Sequence, residues 1–263
     1  MILVNNLSFR YTDNSPYILR DLSFVLDDGE ILSILGKNGI GKTTFLKCLT
    51  AELTDYTGEI MIEQQEVRSF GIPELSEKVA LVATNSPIYQ NLMVADYLTT
   101  GFANRLAALQ SPSRLQYEQA FDVLCDLGQG ELFNRYIHEL SSGELQIIKI
   151  ARAIIQRPRI IIFDEPTANL DIKNQLLVLE QITGLSDKGF TVITTTHNPG
   201  QVIELGGKTL LLTEDDQIFG AVDDLLTEDN LRRVYDLHVT IEDGRYRKYV
   251  SFFAREDGQR LIY

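Results

Sequence analysis

The chain has little of three things that would restrict its class: cysteine, basic charge and long apolar runs. Its two cysteines, Cys48 and Cys125, are too few for a disulfide framework and form no metal-ligand pair, so we expect reduced thiols in a cytosolic protein. The 24 Lys and Arg residues are outnumbered by 37 Asp and Glu residues, which gives a net charge of −13. This excess of acid repels phosphate backbones and anionic lipid headgroups, so nucleic acid and a bare membrane are poor partners.

No apolar run in the sequence reaches the roughly 20 residues that a membrane-spanning helix needs. The first residues, MILVNNLSFRYTDN, also lack the basic start and the apolar core of a signal peptide. We therefore expect any association with a membrane to come through a partner protein. With 263 residues, 44% of them hydrophobic and 23% charged, the composition suits one large α/β domain with a substantial core.

Strand and helix patterns alternate along the chain, and only the stretch at 85–156 is mainly helical. Short apolar or β-branched runs predict strands at 2–9, 22–26, 31–35, 57–67, 79–83, 160–163 and 191–195. Helical periodicity predicts helices at 43–53, 94–101, 114–127, 144–156 and 173–183. Because strand–helix alternation implies parallel βαβ units, we expect one α/β unit with an inserted helical lobe.

The C-terminal segment has a different pattern. Thr227 is placed to cap a helix that runs to Tyr235. The runs at 239–242 and 245–250 flank Asp243-Gly244, which predicts a hairpin with a tight turn at those two residues.

Residues 36–43 match the phosphate-loop pattern G-x-x-x-x-G-K-[ST] between a predicted strand and a predicted helix. The glycines let the backbone curl so that successive N–H groups face one anion, and the positive end of the following helix adds to that field. Lys42 would reach the β- and γ-phosphates, and Thr43 would offer its hydroxyl to Mg²⁺. The candidate nucleotide-binding residues of this loop are Gly36, Asn38, Gly39, Gly41, Lys42, Thr43 and Thr44.

Two carboxylates follow the buried strand predicted at 160–163. Asp164 is placed to hold the Mg²⁺ shell, as the acidic residue at a strand end does in P-loop enzymes. Glu165 is placed to polarise the attacking water as a general base. The alternative, a solvated acidic turn before Pro166, is disfavoured by the phosphate loop elsewhere in the chain.

Further segments resemble the ABC ATPase family in order, spacing and strand context. Leu140-Ser141-Ser142-Gly143-Glu144 is similar to the family's LSGGQ signature, and 166–171, Pro-Thr-Ala-Asn-Leu-Asp, resembles its D-loop. His197 follows the strand at 191–195 as the family's switch histidine does, and Tyr11 stands where the family keeps an aromatic residue that stacks on adenine. On these motifs the chain is identified as a member of that family.

The resemblance implies a fold and a division of the chain. The fold is α/β: a P-loop NTPase core with a mainly parallel sheet, an antiparallel N-terminal β subdomain and an inserted α-helical subdomain. The single domain, 1–263, would consist of a nucleotide-binding core at 1–84 and 157–220, a helical signature subdomain at 85–156 and a C-terminal helix and hairpin at 221–263.

The resemblance also implies ATP and Mg²⁺ as cofactors, and it assigns roles to individual residues. Glu165, His197 and Lys42 would be catalytic. The metal ligands would be Thr43, Asp164 and Thr84. The residues that join the phosphate loop in binding nucleotide would be Tyr11, Ser141, Ser142, Gly143 and Asp171.

The chain departs from the family pattern at three positions. In the signature, Ser142 replaces a glycine and Glu144 replaces a glutamine. Thr84, at the end of Val82-Ala83-Thr84, stands where the family's Q-loop has a glutamine. We expect its shorter side chain to contact Mg²⁺ through water, or Asn85 to take over the role.

Some residues in these motifs have a second, structural interpretation. Ser141 and Glu144 are spaced as a capping box, which would satisfy N–H groups at the start of the following helix. The two interpretations are compatible, because the family's mechanism uses the same helix start. Tyr11 could instead pack against the sheet, and a histidine such as His197 is often structural.

The family implies an ATP-hydrolysing subunit at the cytoplasmic face of the membrane, working as a head-to-tail dimer that holds ATP between its copies. Its partners would be a second ATPase subunit, integral membrane permease subunits and, through the permease, a substrate-binding protein, but not nucleic acid.

Residues 229–250 resemble the end of metal-chelate importers, which handle ferric siderophores, haem, cobalamin or molybdate. A soluble ATPase of cofactor assembly and a subunit of an exporter remain alternatives. A GTPase or small-molecule kinase is disfavoured because the sequence has no Asn-Lys-x-Asp motif.

Overall fold

A computed structural model describes residues 1–83, 88, 90–106, 110–244 and 248–253. The chain divides into two units, a first unit of Met1–Phe70 with Ile193–Tyr263 and a second unit of Gly71–Val192. The predicted division into a core, a helical subdomain and a tail stays a prediction. Within the described part of the chain, no helix has both the length and the apolar character that crossing a bilayer requires.

The strands and helices of the described residues are as follows. The strands are β1 (Ile2–Phe9), β2 (Leu19–Leu26), β3 (Ile31–Leu35), β4 (Thr57–Ile62), β5 (Gln65–Glu66), β6 (Val79–Ala83), β7 (Ile160–Asp164), β8 (Thr191–Thr196), β9 (Lys208–Leu212), β10 (Gln217–Ala221), β11 (His238–Asp243) and β12 (Lys248–Phe253). The α-helices are α1 (Lys42–Leu49), α2 (Ile72–Lys78), α3 (Val94–Thr99), α4 (Arg114–Asp126), α5 (Ser142–Ile155), α6 (Ile172–Asp187), α7 (Pro199–Leu205), α8 (Val222–Leu225) and α9 (Glu228–Tyr235).

The first unit contains an antiparallel N-terminal sheet and a separate group of core strands. β1 pairs antiparallel with β2 and β4, and in β2 the buried residues Leu22, Phe24 and Leu26 alternate with exposed ones. This alternation is that of a sheet with one covered face. The core strands lie in the order β10-β9-β3-β8, with β9 parallel to β3 and antiparallel to β10. All five residues of β3 are buried, as in a strand that is covered on both faces.

The second unit combines two parallel strands with most of the helices. β6 and β7 are parallel neighbours in a register that places Ala83 opposite Asp164, so their carboxyl ends lie at the same edge. α5 packs against α3, α4 and α6. Ile147, Ile150 and Ala151 are among its many buried residues, and their spacing is that of one helical face.

The C-terminal segment of the first unit packs through one apolar cluster. Thr227 caps α9 by accepting a hydrogen bond from the backbone N–H of Asn230 at 3.2 Å, so the predicted cap and helix are confirmed. The buried members of the cluster are Leu35, Val202, Leu211, Val222, Leu226, Leu231, Val234 and Val239. This cluster therefore joins α9 and the hairpin to α7 and to the last residue of β3.

The predicted hairpin is present, but the predicted turn is wrong. Asp243 pairs with Lys248, so Asp243 belongs to β11 and the connection is longer than Asp243-Gly244. The predicted strand at 245–250 begins in residues that lie outside the described part of the chain. The register follows from packing, because Val239 is fully buried and lies opposite Phe252 in the apolar cluster.

The predicted strands at 2–9, 31–35 and 79–83 have the observed bounds, whereas most other predicted elements differ from the observed ones by one or more residues. Two of these differences have a clear cause in the backbone. The helix predicted at 43–53 stops at Leu49, because Ala51 adopts a φ of 56°. The strand predicted at 57–67 is interrupted by Glu63 and Gln64, whose φ angles of 52° and 68° make a tight turn. The sequence analysis did not predict α2, α7, β9 or β10.

Candidate functional site

The loop between β3 and α1 has the backbone conformation that an anion-binding turn needs. Gly39 and Gly41 have φ angles of 81° and 121°, which favour glycine strongly. A Cβ on Gly41 would also lie 2.6 Å from Cγ2 of Ile18. Gly41 is the N-cap of α1 and has no side chain with which to cap it. The start of α1 therefore has no side-chain cap, and the positive end of the helix dipole there suits a phosphate.

Lys42 is held inside this loop. Its side chain is buried, and Nζ donates to the carbonyl oxygens of Gly36 at 2.9 Å and Lys37 at 3.3 Å. Nζ also lies 3.5 Å from Oδ1 of Asn38. These three acceptors, all from the phosphate loop, hold the ammonium group of Lys42 within that loop. The donor set suits the oxygens of a nucleotide di- or triphosphate.

Tyr11 is exposed beside the start of α1. Its hydroxyl lies 3.0 Å from Oγ1 of Thr44, and its ring packs edge-on against Phe9 with centroids 5.0 Å apart. The side chain remains 57% exposed, so a planar ring has room to stack on it. The structure thus places Tyr11 next to the phosphate loop, and its role in binding adenine stays a prediction.

His197 lies between β8 and α7, close to the start of the phosphate loop. The N–H of Gly36 donates to the carbonyl oxygen of Thr196 at 3.4 Å. The hydroxyl of Thr196 donates to Gln201 at 2.7 Å and accepts from the N–H of Asn198 at 3.0 Å. The residue before His197 and the residue after it are therefore fixed, while His197 itself is exposed.

Asp164 and Glu165 lie at the carboxyl end of β7 in the second unit, and both are half-buried. Glu165 has a φ of 49°, a conformation that costs a residue with a side chain about 1 kcal/mol. Its carbonyl oxygen accepts from the N–H of Ala168 at 3.1 Å, which closes the turn. The chain therefore turns sharply directly after β7, with Glu165 as the first residue of the turn. Strain of this kind is common at functional sites.

The start of α5 confirms the predicted capping box. The N–H of Glu144 donates to Oγ of Ser141 at 3.3 Å, and the N–H of Ser141 donates to Oε2 of Glu144 at 2.8 Å. The hydrogen bond from the Ser141 backbone is the main reason that the pKa of Glu144 lies below its ordinary value. Ser141 and Ser142 are exposed, and Gly143 is buried.

Asn174, which the sequence analysis missed, connects the signature to the D-loop. Asp171 caps α6 by accepting from the backbone N–H of Asn174 at 2.8 Å, and Nδ2 of Asn174 donates to the same carboxylate at 3.0 Å. The Asn174 amide also lies directly over Gly143: a Cβ built there would be 2.3 Å from its Oδ1. This contact leaves no room for a side chain at position 143. In the sequence, the only signal for Asn174 is its place three residues after Asp171, a residue type that caps helices.

Lys149 is a second residue that sequence reasoning missed. It lies on α5, is buried, and donates from Nζ to the carbonyl oxygen of Ala83 at 3.1 Å. Burial lowers the pKa of its ammonium group. This contact fixes the end of β6 to the signature helix. Thr84 and Asn85, the candidate Q-loop residues, come next in the chain and lie outside the described residues.

Comparisons with known proteins agree with these motifs. A family model described as ABC transporter matches residues 19–168. The chain is 33% identical over 253 residues to the molybdate import ATP-binding protein MolC of Haemophilus influenzae, across 95% of this chain and 93% of the relative. It is 32% identical over 243 residues to an iron chelatin transport ATP-binding protein of Helicobacter pylori, across 89% of this chain and 92% of the relative.

A solved structure supports the same conclusion. An inward-facing conformation of a metal-chelate type ABC transporter has a TM-score of 0.85 with this chain at 30% identity, covering 96% of both chains. This similarity confirms the predicted fold class, an α/β P-loop NTPase with antiparallel N-terminal strands. The family model covers more than half of the chain, and members of the family hydrolyse ATP to power transport. The chain therefore belongs to the ABC transporter family, as an ATP-binding subunit with ATPase activity.

Proposed function

We propose that this subunit forms a head-to-tail dimer that binds two ATP and two Mg²⁺ and powers the import of a metal chelate, such as a ferric siderophore, through a membrane permease. The observation that carries the proposal is the phosphate loop. It combines a buried ammonium group at Lys42 with a helix start that lacks a capping side chain. In the dimer, the signature of one copy, Ser141 to Gly143, faces the γ-phosphate bound by the other copy.

The described residues supply the chemistry that hydrolysis requires. Glu165 orients a water molecule and accepts its proton as the water oxygen bonds to the γ-phosphorus, and the bond to ADP breaks. His197 would interact with the γ-phosphate, and Thr43 and Asp164 are the residues that would supply oxygen ligands for Mg²⁺. When bound, Mg²⁺ neutralises the negative charge that develops on the phosphates. An exposed hydroxyl and a carboxylate at a strand end are ligands of the hard type that Mg²⁺ prefers, with phosphate and water oxygens completing its shell.

The proposed direction of transport and class of cargo rest on the relatives and on the C-terminal segment. One relative is named for molybdate import, another for iron chelatin transport, and the similar solved structure is of the metal-chelate type. Their similarity covers at least 89% of this chain, and the C-terminal helix and hairpin, α9 with β11 and β12, follow the pattern that resembles metal-chelate importers. We accordingly place the subunit at the cytoplasmic face of a membrane, bound to a permease.

The replacement Glu165→Gln tests the mechanism. We expect ATP binding to be retained and hydrolysis to fall about 100-fold or more, because the amide cannot accept the proton of water. Size-exclusion chromatography with ATP and Mg²⁺ should then show a stable dimer containing two ATP. Glu180→Gln, which changes an exposed carboxylate on α6, is the matched control and should hydrolyse ATP at the parental rate.

Two results would contradict the proposal. Hydrolysis by Glu165→Gln at the parental rate would show that another group is the base. A variant that binds ATP but stays monomeric would argue against the dimer. Co-purification with an integral membrane protein, followed by ATP-dependent uptake of a ferric siderophore into vesicles containing that complex, tests the transport role. Recovery of the chain with soluble partners alone would favour cofactor assembly instead.

A further inference from the structure

The last helix of the described chain contacts the candidate switch residue. Tyr235, the final residue of α9, donates a hydrogen bond from its hydroxyl to the carbonyl oxygen of His197 at 2.7 Å. Its ring packs edge-on against Phe252 of β12, with centroids 5.0 Å apart and an interplanar angle of 74°. A side chain from the C-terminal segment therefore holds the backbone of a residue 38 positions earlier.

The ring that carries this hydroxyl packs against apolar side chains of the same unit. The tyrosine ring belongs to the apolar cluster that contains Val202 of α7 and Leu35, which directly precedes the phosphate loop. Tyr235 is half-buried, and this burial raises the pKa of its hydroxyl. A half-buried tyrosine hydroxyl usually finds a hydrogen-bond partner, so the bond to His197 stabilises one orientation of both groups.

The carbonyl oxygen that accepts this hydrogen bond belongs to His197 itself, so the contact affects the orientation of that residue. Thr196 and Asn198 are fixed by their own hydrogen bonds, and Asn198 also caps α7 by accepting from the N–H of Gly200 at 2.9 Å. The peptide between His197 and Asn198 is thus held at both of its polar atoms: its N–H donates to Thr196, and its oxygen accepts from Tyr235. Because this peptide sets ψ of His197, it helps to determine the direction in which the imidazole leaves the backbone.

We infer that Tyr235 is a positioning residue, through which the C-terminal helix and hairpin hold His197 in the orientation that ATP hydrolysis requires. The inference rests on the role in hydrolysis that is proposed for His197. It gives the C-terminal segment a part in the reaction, although none of its side chains needs to touch nucleotide. Disturbance of α9 or β12 would then change the rate of hydrolysis without changing the binding of ATP.

The replacement Tyr235→Phe tests this inference because it removes the hydroxyl and keeps the ring. In the purified full chain, we expect kcat for ATP hydrolysis to fall about 3- to 10-fold with KM unchanged, which corresponds to the loss of one hydrogen bond. Tyr56→Phe is the matched control in the same unit. That tyrosine is buried, and its hydroxyl donates a hydrogen bond to Glu66 at 3.1 Å, so its replacement should lower stability but leave kcat unchanged.

A second measurement separates the positioning role from the proposed catalytic role. The sequence contains three histidines, His138, His197 and His238, so a ¹³C–¹H spectrum of histidine-labelled protein is simple to assign. Tyr235→Phe should shift or broaden the His197 signal and leave that of His138 unchanged. In a His197→Gln background, Tyr235→Phe should cause no further loss of kcat, because the two residues act as one unit.

Each possible failure has a different meaning. An unchanged His197 signal in Tyr235→Phe would overturn the inference, whatever the activity. An equal loss of kcat in the parental and His197→Gln backgrounds would also overturn it, because Tyr235 would then act by another route. Parental hydrolysis by His197→Gln itself would instead refute the proposed catalytic role of His197, while the spectrum would still decide whether Tyr235 orients that residue.

Discussion

The two helix starts that the family's mechanism uses, those of α1 and α5, are built in opposite ways. α1 begins at Gly41, which has no capping side chain, and the cation of Lys42 lies within its own loop. α5 begins at Ser141, whose hydroxyl and backbone N–H are paired with Glu144. The start of α1 thus has no side-chain cap, whereas the start of α5 is capped by side chains of the chain itself.

This difference fits the roles that the two segments have in the proposed dimer. A loop that binds phosphate in its own subunit gains from a preformed site, because little reorganisation accompanies binding. A signature that meets phosphate only across a dimer interface must stay stable while no phosphate is present. A capping box with one carboxylate provides that stability. A phosphate bound by the partner subunit would then compete with the hydrogen bonds that already join Ser141 and Glu144.

Among the variants that test this difference between the two helix starts, Lys42→Ala is expected to have the largest effect. Removal of a buried, hydrogen-bonded cation from the phosphate loop should weaken ATP binding on the order of 100-fold. Isothermal titration with ATP and Mg²⁺ measures the change. Lys47→Ala, at the other end of α1, removes a lysine outside the loop and should bind ATP as the parental chain does. Equal affinities for both variants would show that the loop is not preformed around Lys42.

A smaller effect is expected from Gly143→Ala in the signature. The new methyl group would overlap the Asn174 amide, so we expect the free energy of unfolding to fall by about 1–3 kcal/mol. In an Asn174→Ala background the same replacement should cost little, and denaturant titrations of the four proteins would give the coupling energy. Gly184→Ala is the control: it lies within α6 with open space around it, and alanine favours a helix there. Additive costs would refute the contact.

The smallest effect is expected from Glu144→Gln, and it depends on pH. Glutamine can still accept the hydrogen bond from Ser141 but lacks the charge. Because the pKa of Glu144 is lowered in the folded chain, its charge contributes stability above its unfolded pKa of about 4.3, and this contribution is lost as the pH falls through the folded pKa.

The carboxylate is half-buried at the protein surface and screened by solvent, so the difference in stability at neutral pH should be below about 1 kcal/mol. Thermal melting of both proteins from about pH 7 to about pH 3 should show the difference shrinking in acid. Glu180→Gln serves again as the control. A difference between Glu144→Gln and the parental chain that does not change with pH would mean that the charge does not stabilise the start of α5.

Much of the fold and most of the candidate motifs could be predicted because their signals are local. The phosphate loop needs glycine at particular φ angles before a helix, and Gly39 and Gly41 have those angles. Buried strands such as β3 and β6 are continuous apolar runs, and the capping box follows from the spacing of Ser141 and Glu144. The tight turn at Asp243-Gly244 was predicted from equally local evidence and was wrong, because the packing of the tail sets its register.

By itself, the sequence determined the family, the fold class and the order of the motifs, since each depends on residues that are neighbours in the chain. Only the tertiary structure decided which residues support those motifs. Asn174 over Gly143, Lys149 at the end of β6 and Tyr235 at His197 are contacts between residues far apart in sequence. Their identities alone are ordinary: an asparagine in a first turn, a lysine in a helix and a tyrosine at a helix end. They acquire a role only because burial and packing place one polar group of each beside a single partner.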